Sequence, residues 1–359
     1  MKETIRIIWA ITSKDIVDGF KNKLVLGIII PAIFVVGIYR LLPGLESGEG
    51  PPNVLVYDAG ESSLVAVLED SLEVRLYTYP SQEEMEIRLA HGDVPELGLV
   101  IPADFDRVLE AGGEPELEGY VLHWVSKEDA NELRWYLEAL VTELIDAPVR
   151  IRMEGNIVDT RPDSRGIGLV TGMGFVFVII MIGVALPANM LIEEKTTRTL
   201  EALMVSPATN FQVVISKALT SVFYCMGVLA FGFLLSRTLI LQWGLAFWTG
   251  VFSSLVGIGI GLFLGAVLEV RQQLMIWSWV AIFPLFVPVM LSIMDDLIPA
   301  SVIAVFQWFP TVSMFKLFRV SFSTDTSLAL IGPEFARLTV YVLLLCLLVG
   351  WAVRRTDNR

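Results

Sequence analysis

The chain has 359 residues, of which 54% are hydrophobic and 18% charged, with a mean hydropathy of +0.65. Soluble domains hold about 45–50% apolar and about 25% charged residues, and here the apolar excess is gathered into long runs, which excludes a soluble enzyme and a disordered chain. The net charge of −13 comes with no basic patch of the kind that grips a phosphate backbone, so no nucleic-acid partner is expected.

In chain order, residues 1–23 read as a cytoplasmic amphipathic helix lying in the membrane interface. Ile5, Ile8, Trp9 and Ile16 recur near helical spacing, with Lys and Asp between them. A cytoplasmic extension of the first span is the alternative. Crossing about 30 Å of hydrocarbon takes about 20 apolar residues, and six stretches qualify: 24–42, 167–192, 213–235, 243–268, 274–294 and 335–353. The charged leader before 24–42 is long for a signal peptide, so that stretch reads as a retained anchor.

Charge divides the chain. Residues 43–166 hold 27 Asp and Glu against nine Lys and Arg, while the remainder holds 12 against 17. An acidic soluble domain is therefore inserted between the first two spans. Within it, residues 53–57, 74–79, 97–101 and 120–124 read as short strands. Helical patterns lie at 61–72, 82–90 and 103–111, and Ser126-x-x-Asp129 opens a longer helix to 145. The acidic side chains read mostly as a solvated surface. His91 and His123 fall in this domain without a cysteine beside them, and no metal site is expected. Cys225 and Cys346 lie in apolar runs and read as small buried residues.

Lys and Arg gather before the first span, after the second and at the tail. This puts both termini in the cytoplasm and the acidic domain outside. Residues 193–212 are expected to form a cytoplasmic loop, and Lys195, Arg198 and Lys217 after the second span read as inside charges. Residues 213–353 hold spans three to six, and 354–359 form a cytoplasmic tail. Residues 298–318 are apolar but interrupted by Pro299 and Pro310. A full seventh span would expel the basic tail, so this segment reads as a re-entrant hairpin against other helices. The fold class expected is a membrane all-α bundle of six transmembrane helices with a re-entrant hairpin before the last, plus an external α/β domain.

Two patterns in the membrane part stand out. Gly257, Gly261 and Gly265 recur every four residues, placing small residues on one helix face for close packing. Packing within the chain, a dimer seam and a mobile gate all fit. The second is the segment after span two, residues 192–207, which reads IEEKTTRTLEALMVSP. Leu200, Leu203 and Met204 share a helical face, Glu193, Glu194, Lys195, Arg198 and Glu201 add charge, and Pro207 is a helix stop. Such a helix can lie on the membrane or fill a groove on a partner.

This segment resembles the loop after the second span of ABC-2 type ABC transporter permeases, whose pattern is roughly E-x-E-K-x-x-R-T-L-E-x-L-L-V-S-P. Glu194, Lys195, Arg198, Thr199, Leu200, Glu201, Leu203, Val205, Ser206 and Pro207 match, and Met204 stands where a second leucine is usual. The resemblance extends over most of the chain. Phe309, Pro310, Thr311 and Val312 resemble the family's N-P-x-T-Y turn, with Phe309 in place of Asn and Val312 in place of Tyr. The resemblance implies a permease subunit moving an amphipathic substrate such as a drug, lipid, glycolipid or peptide. It implies a homodimer or a pair with a similar permease, in a lipid bilayer, with two copies of an ABC ATPase. ATP and Mg would belong to that partner, and residues 193–206 would be its coupling helix. It also points to a prokaryotic plasma membrane. No cofactor is expected in this chain, which has no G-x-x-x-x-G-K-[ST] phosphate loop. The rival is a membrane receptor or scaffold whose external domain binds a ligand or an envelope protein. An intramembrane hydrolase would need His, Asp or Ser groups paired within spans, and no His lies in one.

Overall fold

A computed structural model describes residues 2–46, 51–92, 96–164, 166–196, 209–292, 298–325 and 327–357. Helix α1 (Lys2–Gly19) and helix α2 (Lys23–Glu46) are joined by a sharp turn, so that the axes of Lys2–Gly19 and Lys23–Ile38 differ by 71°. Asn22 makes the turn: its Oδ1 accepts from the backbone N of Leu24, capping the new helix. The bend rules out a straight continuation of α2. The stripe expected on α1 is divided: Ile5 and Trp9 are well exposed, while Ile8 and Ile16 are half-buried. The bundle meets the side of α1 that carries Ile8, Thr12, Asp15 and Gly19, with Thr12 and Gly19 buried.

The α/β unit follows. Its strands are β1 (Asn53–Asp58), β2 (Arg75–Tyr79), β3 (Leu97–Ile101), β4 (Glu116–Leu122), β5 (Arg150–Arg152) and β6 (Ile157–Val158). The sheet order is β2-β1-β3-β4-β5, with β6 also beside β4. Only the β3–β4 pairing is antiparallel. Helix α3 (Ser63–Asp70) crosses from β1 to its parallel neighbour β2, α4 (Gln82–Leu89) crosses from β2 past β1 to β3, α5 (Phe105–Glu110) follows β3, and α6 (Lys127–Ile145) follows β4. Ser81 and Ser126 cap α4 and α6 by accepting from the backbone N of Glu84 and Asp129. Every residue of β3 is buried, as a central strand requires. β4 begins four residues earlier than expected, because Glu116 and Glu118 point outward from an otherwise alternating strand and disguise its start. β5 and β6 are too short to carry a period and exist by pairing with β4.

Among the described residues, five helices are long and apolar enough to cross a membrane: α7 (Ile167–Thr196), α8 (Asn210–Leu235), α9 (Trp243–Val267), α10 (Arg271–Leu291) and α13, apolar over Leu328–Arg355. The bent pairs α1–α2 and α11–α12, the latter Ala300–Phe306 with Pro310–Ser321 at 89°, would raise the number to seven if each counted as one span. Helix α13 (Leu328–Asp357) starts seven residues before the expected 335 and carries Pro333 in its early turns. Likewise α7 continues to Thr196, four residues beyond the expected end at 192, and residues 197–206 of the expected coupling helix lie outside the described residues. Lys217 is not in a loop either. A capping box between Thr209 and Gln212 starts α8 early and puts Lys217 inside it. Of the cysteines, Cys225 is buried but Cys346 is exposed, because α13 lies on the outside of the bundle.

Helix α7 is the central post, buried on all sides. Phe175 stacks edge-on against Phe233 and Phe318, both with centroids 5.3 Å away. This core is continuous with Leu122 and Trp124 of the α/β unit.

Candidate functional site

The segment that carries the family resemblance leaves the bundle at the end of α7. Arg198, Thr199, Leu200, Glu201, Leu203, Met204 and Pro207 lie outside the described residues. Glu193, Glu194 and Lys195 are described, and each holds a different part of the bundle. Glu193 accepts from the Asn22 amide at 3.1 and 3.3 Å, at the turn between α1 and α2. Glu194 pairs with Lys217 of α8 at 2.5 Å. Lys195 Nζ donates to the carbonyls of Gly265, Ala266 and Leu268 at 2.7, 2.8 and 3.1 Å, capping the end of α9. A cation at that position satisfies open carbonyls and complements the helix dipole.

Lys217 is the centre of this junction. Its ammonium also meets Asp15 of α1 at 2.7 Å, and the three side chains are 4%, 12% and 14% exposed for Lys217, Asp15 and Glu194. Around it, Thr12 Oγ1 donates to the Ser216 carbonyl, Ser216 Oγ donates to the Ile8 carbonyl, and the Tyr224 hydroxyl donates to the Ile16 carbonyl. Tyr224 reaches that carbonyl across Gly19, where a Cβ would overlap its hydroxyl. Thus α1 is fastened to α8 by polar bonds and one ionic cluster. Sequence reasoning missed Asp15 and Lys217 as partners. A lone lysine within an apolar stretch was the available signal, since such charges pair or serve a function.

The glycine row faces α7 of the same chain. A Cβ at Gly257 would touch Gly183, one at Gly261 would overlap the carbonyl oxygens of Gly183 and Val184, and one at Gly265 would lie 2.9 Å from Ala188 Cα. Pro310 is the first residue of α12, where its fixed φ and missing N–H suit a helix start. Thr311 Oγ1 donates to the Leu285 carbonyl in α10, tying the bent pair to that helix.

At the other end of the bundle the α/β unit is bonded to the helix ends. Thr160 Oγ1 donates to the Phe322 carbonyl at 2.9 Å, and Arg319 donates to the Ser164 carbonyl at 2.6 Å. His123 Nε2 lies 3.3 Å from the Leu239 carbonyl, while the Thr160 backbone N lies 3.4 Å from Nδ1. That pattern suits a neutral ring carrying its proton on Nε2. Burial lowers the His123 pKa from the ordinary 6.5, against opposing effects of the Leu239 carbonyl and Asp159.

A family profile described as an ABC-2 family transporter protein matches residues 23–353. The chain belongs to the ABC-2 transporter family. The match begins at the first residue of α2 and includes the α/β unit, the segment after α7 and all the long helices. No curated protein matches the chain. Membership of the family makes this a multi-pass membrane protein and a transport permease, the membrane component of an ABC transporter rather than an enzyme in itself.

Proposed function

We propose that this ABC-2 permease exports an amphipathic substrate, using Mg-ATP hydrolysed by two copies of a separate ATPase, and that two such chains pair in a prokaryotic plasma membrane. In this reading, α2, α7, α8, α9, α10 and α13 are the six spans, and both termini and residues 193–212 are cytoplasmic. The α/β domain is external and the α11–α12 pair is re-entrant. Chain direction supports the last point. Three residues separate the end of α9 from the start of α10, at the Lys195 end, so α10 finishes at the α/β end. Helix α12 also finishes at the α/β end, where the Ser321 carbonyl accepts from the backbone N of Leu241 and Gln242. A segment that enters and leaves on one side adds no crossing.

The observation that carries the coupling role is the threefold fastening of Glu193, Glu194 and Lys195 to the α1–α2 turn, to α8 and to α9. A force applied to residues 197–208 by a closing ATPase dimer would be shared at once by all three. Charge reversal at Arg198 or Glu201 should uncouple transport from ATP hydrolysis while leaving the fold intact. Wild-type transport by Arg198→Glu would sink the coupling assignment. Gentle native purification should bring down a stoichiometric ATPase. Capture of an envelope protein by the α/β domain, with no ATPase under crosslinking, would favour the receptor or scaffold instead.

A further inference from the structure

Two cations and one carboxylate sit together on α12 and α13, away from the junction described above. Lys316 Nζ lies 3.6 Å from Glu334, and Arg337 Nη1 lies 2.8 Å from the same carboxylate. Glu334 is buried, with its side chain 8% exposed, whereas Lys316 and Arg337 are 40% and 25% exposed. Among the described residues one carboxylate stands against the two cations, which leaves the cluster with a net positive charge. Donors are left over as well. Arg337 bonds through Nη1 alone, to Glu334 and to the Gln307 carbonyl at 2.8 Å. Among the described residues its Nη2 and Nε have no hydrogen-bond partner, and Lys316 has one contact, beyond ordinary hydrogen-bond length.

An apolar groove of about 450 Å³ adjoins this cluster, lined by Ala304, Val305, Trp308, Phe309 and Tyr341. Tyr341 lies one helical turn beyond Arg337. Its hydroxyl donates to the Trp308 carbonyl, the neighbour of the Gln307 carbonyl that Arg337 holds. Groove and cations are therefore adjacent along one helix face. Val305 and Trp308 are 60% and 69% exposed, so the groove is open.

Depth fixes what could lie there. From Arg337 to Arg354 along α13 is about 26 Å at 1.5 Å per residue, close to the roughly 30 Å of a hydrocarbon core. With Arg354 and Arg355 at one boundary, Arg337 and Lys316 stand near the other, at the α/β end, where headgroups meet chains.

We infer that Lys316, Arg337 and the Val305–Trp308–Tyr341 groove form a binding site for an anionic amphiphile, with its acidic headgroup on the two cations and its chain along the groove. This rests on the proposed topology and narrows the substrate class. The ligand is either a resident bilayer lipid or the cargo itself. The test uses the purified full chain in nanodiscs of equal phosphatidylglycerol and phosphatidylcholine, with retained lipid measured by native mass spectrometry. Preferential retention of phosphatidylglycerol is expected, falling about tenfold in Lys316→Gln and in Arg337→Gln, as for loss of a charged hydrogen bond. Lys316→Gln leaves the Arg337–Gln307 bond in place and serves as the folding control. Glu334→Gln removes the opposing charge and should raise retention. Equal retention of both lipids by the wild type, or an equal fall in all three variants, would overturn the site. In vesicles with the partner ATPase and ATP, labelled phosphatidylglycerol that leaves the site and crosses leaflets is cargo, and label that stays is a resident lipid. Both outcomes support the site. Absence of any ATPase partner would defeat the transport reading without touching the retention result.

Discussion

Replacing Lys217 with methionine keeps the length of the side chain and removes its charge. Asp15 and Glu194 would then face each other with no cation between them, at a site where the two carboxylates are 12% and 14% exposed. Removing one partner of a buried ion pair costs about 3–5 kcal/mol. Both carboxylates lie towards the rim of the junction, so the lower end, about 3 kcal/mol, applies here. That is about two powers of ten in the ratio of docked to undocked α1, since about 1.4 kcal/mol is tenfold. Hydrogen exchange reads it locally. Amides of α1 should exchange about a hundredfold faster in Lys217→Met, while those of α9 in the glycine row keep their protection. The triple variant Asp15→Asn, Glu194→Gln, Lys217→Met should recover to within about 1 kcal/mol of the wild type, because neutralised buried ion clusters are often tolerated. Unchanged exchange in α1 of Lys217→Met, or a triple variant as loose as the single, would refute the view that charge pairing fastens α1.

Lys195→Met removes the donor to three carbonyls at the end of α9, and should cost about 1–2 kcal/mol in unfolding experiments in detergent; a neutral result would mean water caps that end equally well. Gly261→Val forces a branched side chain into the carbonyls of Gly183 and Val184 and should lower stability by at least about 2 kcal/mol. Gly227→Ala, in open space on α8, should gain about 0.5 kcal/mol from helix propensity, and thermal melts of the pair provide the comparison. For His123, burial holds the folded pKa below the ordinary 6.5, so the folded state binds fewer protons than the unfolded. The stability contributed by the neutral ring is full above about pH 6.5 and is lost as the pH falls from there through the depressed folded value. Fluorescence of the adjacent buried Trp124 should report loosening on acidification, and His123→Gln should flatten that dependence.

Composition and hydropathy determined that the chain spans a membrane, because long apolar runs have one stable place to go. The short apolar runs at residues 53–57 and 97–101 and the serine caps at 81 and 126 placed most of the α/β elements, since these signals are local. So was the resemblance in residues 193–207, a contiguous string. The start of β4 and the strands at 150–152 and 157–158 were not legible, as they are defined by hydrogen bonds to residues distant in the chain. The same holds for the site. Lys217 and Asp15 are 202 residues apart, and a lysine in an apolar helix announces a need for a partner without naming it. The glycine row announces close approach, but only the fold decides that α7 of the same chain fills it. Periodicity and capping act within a few residues and survive in the sequence. Charge pairing and helix contact act through space, and the tertiary structure alone chose which distant residues meet.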